Sequence, residues 1–447
     1  MNIALIIYLA VLVAIAIRSA LRVKDIPDFL VARKGASAKA VAGSLVATIL
    51  GGSAVIGAVD SGTRLGGAAT WFMLVGALGL LALIPFAPRA YKHGKYALPD
   101  LVEALYGKGP KLVASIVIPV AWTGIVAAQI IAAAKLLMTF TTMDYTTAAV
   151  VSAAVFTGYT LAGGQLSILR TDFFQACLII AGLLAVAGFA LFGSPVDASH
   201  AAAAPAFPFN TNFTPFDLFL LILTYGTTYT AGPDIFSRMF CAKDVATAKK
   251  GIVGAACTLV PVAFVIGFLA VYGTSLGNVQ GARITGIATA VLPPALIPLF
   301  ALALLSVVLS SADTTLLSSS VIICRLLRLG SENNTQRPLA KARIIILVNG
   351  AVALLLALVF TDIIGTLLLA LAVYAGAFTV PVLWGLLGLK AKPKFVAVAI
   401  VAGGALALAG KLCPPLPGSL GAHTGDFLMI AAFIMNAVFL ALGRIKK

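Results

Sequence analysis

The stretch from Ser306 to Ser320, SVVLSSADTTLLSSS, places one aspartate and eight hydroxyl side chains inside a long apolar run. On a helix, residues four positions apart lie on the same face. Four of the hydroxyl groups therefore form one row, at positions Ser306, Ser310, Thr314 and Ser318. Ser311 and Asp313 flank this row. The pattern predicts a helix with one strongly polar face in otherwise apolar surroundings.

The composition of the chain predicts that this run crosses a membrane. Of the 447 residues, 61% are hydrophobic and only 10% are charged, whereas a soluble domain carries about 25% charged residues. Apolar windows long enough to span a bilayer, about 20 residues each, recur along the chain. We therefore expect an all-α integral membrane protein with about 13 transmembrane helices.

At membrane depth, the row of hydroxyl oxygens could replace the water around a small hard cation, and Asp313 would lower the cost of holding its charge. The alternative is that the hydroxyls bond to carbonyls of their own helix or join neighbouring helices. The density of the run and its aspartate favour the cation site, since ionisable groups at this depth are functional by default.

The formal net charge of +16 indicates an orientation in the membrane rather than a nucleic-acid partner. If the N-terminus lies outside and the spans alternate, 27 of the 31 Lys and Arg residues fall in predicted cytoplasmic loops, as the positive-inside rule requires. One such loop is predicted from Arg238 to Lys250. We expect a multi-pass protein of the plasma (inner) membrane, with the N-terminus outside and the C-terminus in the cytoplasm.

Two apolar spans are interrupted by glycine or proline near their middle. The first contains ATILGGSAVIG at 47–57, and the second contains LTYGTTYTAGPD at 223–234. Irregular backbone at membrane depth must line a cavity or be buried in protein. The second interruption comes five spans after the first, so the two units would enter the membrane from opposite sides. Such a pair of broken spans is typical of secondary transporters.

We therefore predict a single transmembrane domain, residues 1–447, built from two inverted repeats of five helices, which is a LeuT-like fold. The predicted parts are a leading span at 3–20, repeat one at 40–193, repeat two at 216–388 and two extra spans at 394–443. Asp172 is predicted to start a span at its cytoplasmic end. There it would either face the hydroxyl row from Ser310 to Thr314 or complement the helix dipole.

Five motifs resemble those of the sodium:solute symporter family, which includes sodium–proline, sodium–glucose, sodium–sialic acid and sodium–pantothenate carriers. The resemblance runs from about residue 25 to about residue 390. In chain order, the motifs are ATILGGSAVIG (47–57), LPDLVEALYG (98–107), GGQLSILRTDFFQ (163–175), GPDIFSRMFCAKD (232–244) and SSADTTLLSSS (310–320). The resemblance implies a fold of two inverted five-helix repeats and import of a small organic solute coupled to sodium entry.

The resemblance also implies a sodium site between the first broken helix and the serine-rich helix. Its ligands would be the carbonyl oxygens of Ala47, Leu50 and Val307 and the hydroxyl groups of Ser310 and Ser311. Some family members have a second sodium site, which uses the aspartate that matches Asp172. The resemblance thus leaves open one or two sodium ions, with Asp172, Thr314 and Asp313 as the residues for a second ion, although family members differ at the position of Asp313.

The solute cavity is predicted near the two breaks. Its lining residues would be Gly51, Gly52, Trp122, Gln129, Tyr225, Thr228 and Tyr374. The alternative at each position is packing alone. Few charges occur in these segments, and we find no arginine suited to sialic acid and none of the residues that sugar carriers use. We expect a small organic solute, such as an amino acid or a carboxylate held by amides of the broken helices.

Other functions are less favoured by the sequence. A proton-coupled symporter would use Asp172 or Asp313 in place of a sodium site. A non-transporting solute sensor would need a signalling domain, which we do not expect here. An enzyme is disfavoured because His93, His200 and His423, the three histidines, fall in predicted loops and no nucleophile–base pair is evident. The five cysteines lack metal-binding spacing, so we expect sodium as the only metal and no cofactor.

Overall fold

The computed structural model describes residues 2–21, 26–193, 206–276, 282–327, 336–360, 363–412 and 423–445. His200, which the sequence placed in a loop, lies outside these ranges. The described backbone is helical apart from connections and isolated bridges. Because lipid offers no hydrogen-bond partners, a chain this apolar must satisfy its backbone groups within helices. The all-α prediction is confirmed.

The helices differ widely in length. The long ones are Asn2–Ala20, Gly62–Leu83, Lys108–Phe140, Tyr145–Phe192, Val245–Tyr272, Ile297–Leu326, Gln336–Val359, Ile363–Leu386, Pro393–Leu412 and Thr424–Leu442. The shorter ones include Ile26–Val31, Ala87–His93, Leu98–Tyr106 and Arg283–Val291. Nine helices of the described ranges are long and apolar enough to cross a membrane, or ten if a bent pair counts as one span. The predicted number of about thirteen is therefore not confirmed.

The first broken helix consists of Ala38–Ile49, a π-helical turn at Ser53–Gly57 and a final turn at Ala58–Asp60. The first half ends at Leu50, whose backbone angles (φ −74°, ψ 49°) leave the helical region. The two halves meet at an angle of 57°. The break follows from the paired glycines after Leu50. Glycine destabilises a helix because it loses more conformational freedom on folding than any other residue.

The second broken helix is interrupted at Gly232 (φ −71°, ψ 140°). Its parts are Pro215–Leu221, a π-helical turn at Ile222–Gly226, Thr227–Ala231 and Pro233–Cys241. Pro233 starts the last part, where its missing amide hydrogen costs nothing because first-turn amides have no helical partner. The hydroxyl of Tyr374 donates to the carbonyl oxygen of Ala231 and thereby satisfies a carbonyl that the break leaves open. Both interruptions lie where the sequence predicted them.

The helix that contains Asp172 begins earlier than predicted. The run Tyr145–Phe192 is divided at Gly164, whose backbone (φ 54°, ψ −150°) only glycine adopts readily. A Cβ atom there would lie 2.7 Å from the carbonyl oxygen of Phe29. The second segment is therefore Gly164–Phe192, which we call the Asp172 helix. The prediction that Asp172 starts a span is wrong, because this residue lies inside the helix and is fully buried.

The second broken helix packs closely against Gly62–Leu83. A Cβ atom on Gly79 would lie 2.2 Å from the carbonyl oxygen of Gly226, within the π-helical turn. The hydroxyl of Thr230 donates to the carbonyl oxygen of Gly79 at 2.9 Å. Glycine at position 79 therefore sets the distance between these two elements.

We expect Gly79→Ala to lower the unfolding temperature in detergent. The new methyl group would force the helices apart, and such overpacking costs about 1–3 kcal/mol. Gly188→Ala is the matched control, since a Cβ atom there meets nothing within 4 Å and alanine favours the helix by up to about 1 kcal/mol. Equal thermal stability of the two variants would contradict the packing argument.

Candidate functional site

The first broken helix contacts the helix Ile297–Leu326, which we call the serine helix, just before the break. The hydroxyl of Ser310 donates to the carbonyl oxygen of Ala47 at 2.9 Å and lies 3.3 Å from that of Val307. The hydroxyl of Ser311 donates to the carbonyl oxygen of Thr48 at 3.1 Å. Four of the five predicted sodium-site residues thus lie at one helix contact.

The break itself is part of this contact. A Cβ atom on Gly51 would lie 2.6 Å from the hydroxyl oxygen of Ser311, so a larger residue could not take this position without displacing Ser311. Leu50, the fifth predicted residue, ends the half-helix beside Gly51 and is fully buried. The close approach of the two helices therefore requires the glycine that also weakens the first one.

The hydroxyl row faces protein rather than lipid. Ser306, Ser310 and Thr314 are fully buried, and Ser318 is 6% exposed. Some hydroxyls do bond within their own helix, as Thr314 does to the carbonyl oxygen of Ser310 at 2.7 Å. Ser306, by contrast, also meets the hydroxyl of Tyr8 at 2.6 Å, on the first helix of the chain. Ser306, Ser310 and Thr314 therefore bond within their helix or to neighbouring helices, whereas the hydroxyl of Ser318 has no partner among the described residues.

A second polar cluster surrounds Arg238. Its guanidinium group lies 3.6 Å from a carboxylate oxygen of Asp172, and both side chains are fully buried. The guanidinium also donates to the hydroxyl of Ser44 at 3.1 Å and to the hydroxyl of Thr314. Ser44 in turn donates to Asp172. Asp172 and Thr314 thus belong to one cluster, but the positive charge within it is an arginine.

The burial of Arg238 corrects the sequence interpretation. This residue was counted with a cytoplasmic loop, whereas it lies on Pro233–Cys241 and is 0% exposed. Its neighbours Phe236, Met239 and Phe240 are equally buried. The sequence did contain a signal for this burial, because large apolar residues stand on both sides of the arginine. Counting the charges of each predicted loop does not detect such neighbours. Arg238 is therefore a site residue rather than part of the orientation signal.

Asp313 adds a second carboxylate beside this cluster. It is fully buried, and its Oδ1 atom accepts a hydrogen bond from Thr314 at 3.4 Å. Its Oδ2 atom and the Oδ1 atom of Asp172 have no hydrogen-bond partner among the described residues. Among the described residues, Arg238 is the one cation beside these two carboxyl groups, so their formal charges balance only if one of them is protonated or one further cation binds. The two free carboxyl oxygens suit one further monovalent cation, either a proton or a metal ion.

A cavity of about 50 Å³ adjoins the contact between the first broken helix and the serine helix. Its lining residues are Thr48, Ile49, Gly51, Trp122, Ile125, Gln129, Tyr225, Thr228, Tyr229, Asp234, Ser311, Thr315, Leu367 and Leu371. Five of the seven predicted solute contacts line it. Gly52 and Tyr374 do not, but they lie behind it: a Cβ atom on Gly52 would be 3.3 Å from Gln129, and Tyr374 packs edge-on against Trp122 at 4.5 Å. Asp234 and Tyr229 were missed by the sequence analysis.

A family model for the sodium:solute symporter family matches residues 29–394. The solved structures with a similar fold include the following three. A sodium-coupled sialic acid symporter in a substrate-bound outward-open state matches with a TM-score of 0.80 at 18% identity, covering 100% of this chain and 99% of that one. A manganese transporter of Eremococcus coleocola matches with a TM-score of 0.56 at 16% identity, with coverages of 91% and 94%. A nucleobase-cation-symport-1 family transporter in a closed conformation matches with a TM-score of 0.57 at 16% identity, covering 93% of this chain and 94% of that one.

We expect Arg238→Gln to lower the free energy of unfolding by about 3–5 kcal/mol, because it leaves buried carboxylates without their cation. Adding Asp172→Asn should restore part of that loss by removing one carboxylate charge. Denaturation in detergent measures both effects. Arg64→Gln, which changes an exposed arginine, serves as the control and should stay within about 0.5 kcal/mol of wild type. A double variant no more stable than Arg238→Gln would contradict the assigned pairing.

Proposed function

Because this chain belongs to the sodium:solute symporter family, in which solute import is coupled to sodium entry, we propose that sodium binds where the first broken helix meets the serine helix. The observation that carries the proposal is the contact of the Ser310 hydroxyl with the carbonyl oxygens of Ala47 and Val307. Oxygen atoms from two helices converge there beside a helix break. The family and the similar structures consist of transporters, which supports transport rather than enzymatic chemistry.

The proposed ligands are neutral oxygen atoms, which suit a singly charged hard cation. They are the carbonyl oxygens of Ala47, Leu50 and Val307 and the hydroxyl oxygens of Ser310 and Ser311. Each hydroxyl now donates its hydrogen to a carbonyl, but its lone pairs remain able to face a cation. Sodium bound at this point would hold the two helices together.

Coupling follows if sodium and solute bind best to the same conformation, because each then raises the affinity for the other. The adjoining cavity supports this arrangement, since Gly51 and Ser311 line it and also belong to the proposed sodium contact. We assign the two repeats to 40–193 and 216–388, with a leading span and two extra spans outside them. We also propose the plasma (inner) membrane, with the N-terminus outside and the C-terminus in the cytoplasm.

A second cation is proposed at the cluster of Asp172, Asp313 and Thr314. The unpartnered carboxylate oxygens and the single guanidinium support it. The cation would be a second sodium ion or, as the alternative coupling mode, a proton. The sialic acid symporter with a similar fold is described as having a novel sodium site, which makes a second sodium ion the first choice here.

We expect the double change Ser310→Ala and Ser311→Ala to weaken sodium binding by about tenfold or more, which corresponds to about 1.4 kcal/mol. Two of five proposed oxygen ligands would be lost. The measurement is the rise in unfolding temperature that sodium produces relative to potassium, together with uptake of a labelled solute panel into proteoliposomes under an inward sodium gradient.

Ser318→Ala is the control for that pair. It removes a hydroxyl from the same helix, and this hydroxyl has no hydrogen-bond partner among the described residues. Its sodium response should equal that of the wild type. A normal sodium response in the Ser310/Ser311 variant would remove both residues from the proposed site.

Asp172→Asn should change the number of cations that enter with each solute molecule, since it removes a charged ligand of the second site. The ratio follows from the membrane potential that just balances a solute gradient, because each charge moved contributes about 2.3 kcal/mol per 100 mV. Asp426→Asn, an exposed change, should leave the ratio unaltered. If the cation is a proton, wild-type uptake will depend on external pH and the variant will not. An identical ratio in wild type and Asp172→Asn would argue against a second site.

A further inference from the structure

Asp234 gives the candidate solute cavity a carboxylate. It lines the cavity at the start of Pro233–Cys241, just past the second break. The described lining residues include no Lys, Arg or His. The arginine one turn further, Arg238, donates to Ser44, Ser237 and Thr314 and to the backbone carbonyl of Asp234 at 3.5 Å, and none of these hydrogen bonds reaches the Asp234 carboxylate. The cavity therefore has a negatively charged wall without a cation among its own lining residues.

Two further groups indicate that the cavity receives a polar ligand: an open acceptor, which calls for a hydrogen-bond donor on the ligand, and an open donor, which calls for an acceptor. The Oε1 atom of Gln129 is an acceptor without a hydrogen-bond partner among the described residues, although the side chain is 97% buried. The indole nitrogen of Trp122 is likewise buried and unpartnered within the described ranges. Buried polar atoms are nearly always hydrogen-bonded, so groups left open beside a cavity are available to a bound molecule.

The position of Asp234 disfavours a carboxylate on this wall. A helix N-terminus attracts anions because its first amides are unpaired. Here, however, the amides of Asp234 and Ile235 already face the Asp234 carboxylate. A solute carboxylate would meet like charge rather than free amides. The sequence-based expectation of a carboxylate held at this break therefore does not fit the second broken helix.

Aromatic rings complete the wall. Trp122, Tyr225 and Tyr229 line the same cavity, and the two tyrosine rings pack edge-on at 5.0 Å. Faces of such rings attract cations through their negative electrostatic potential. The carboxylate and the aromatic rings therefore both favour a positively charged group on the ligand.

We infer that the transported solute carries an ammonium group, protonated or quaternary, which pairs with the carboxylate of Asp234 inside this aromatic cavity. The inference rests on the proposed symport function and specifies its substrate class. Sodium at the Ser310 contact and the ammonium group at Asp234 would occupy neighbouring sites, since Ser311 takes part in both. A plain cation and a zwitterion share this chemistry, and the experiment separates them.

The test measures the unfolding temperature of the purified full chain in sodium, with choline, proline, acetate and glucose as probes. These represent an ammonium group alone, an ammonium group with a carboxylate, a carboxylate alone and an uncharged solute. We expect stabilisation by choline or proline, and none by acetate or glucose. Response to choline alone assigns a plain cation, and response to proline alone assigns a zwitterion. Stabilisation by acetate or glucose, or no response to either ammonium solute, overturns the inference.

The role of Asp234 is tested separately with the responding probe. Asp234→Asn should weaken its apparent affinity by about tenfold or more, and Asp234→Glu should recover part of that affinity. Asp426→Asn is the control for loss of a carboxylate elsewhere. Unchanged affinity in Asp234→Asn would overturn the pairing.

A comparison of ligands keeps the test valid if the Asp234 variants fail to fold. Wild-type protein should bind an ammonium probe far more tightly than its uncharged isostere, in which carbon replaces the ammonium nitrogen. Equal binding of the two would overturn the inference. The sodium response relative to potassium is recorded without any solute, so loss of that response identifies a failure of the proposed symport function instead.

Discussion

A guanidinium group inside a membrane protein must be surrounded by partners, and the arrangement around Arg238 imposes this constraint on four helices. The arginine comes from the second broken helix, Asp172 from its own helix, Ser44 from the first broken helix and Thr314 from the serine helix. Removing a charge from water costs several kcal/mol unless excellent geometry compensates for it. The two interrupted helices are therefore connected through one buried charge cluster as well as by packing.

Strong local signals in the sequence identified the first broken helix and the serine helix, and the resemblance to a known family predicted that they meet. Paired glycines mark a weak point in a helix, and hydroxyls at four-residue intervals identify one helix face. The resemblance to a known family added which carbonyls and hydroxyls should meet. In the structure, Ser310 contacts Ala47 and Val307 directly. The identities of these neighbours depended on the family motif rather than on periodicity.

Other features depend on tertiary placement, which local patterns do not determine. Arg238 and Asp234 follow Gly232 and Pro233, a pair that equally describes the end of a span and the middle of a broken one. Treated as the end of a span, the pair makes Arg238 a loop charge; in the structure, both residues lie on Pro233–Cys241, where Arg238 is buried and Asp234 lines the cavity. The start of the Asp172 helix was misplaced for a related reason: the glycine at 164 ends one segment and begins the next without an intervening loop.

Both broken helices carry a π-helical turn, at Ser53–Gly57 and at Ile222–Gly226. Such a turn contains one residue more than the α-helix requires, and such turns are frequent at functional sites. Absorbing that residue into regular α geometry would rotate the adjoining segment by about 100° and move it by about 1.5 Å along its axis. Each interrupted helix therefore contains one residue more than regular α geometry requires. Taking up or releasing that residue would let one half of the helix rotate about its axis while the other half stays fixed.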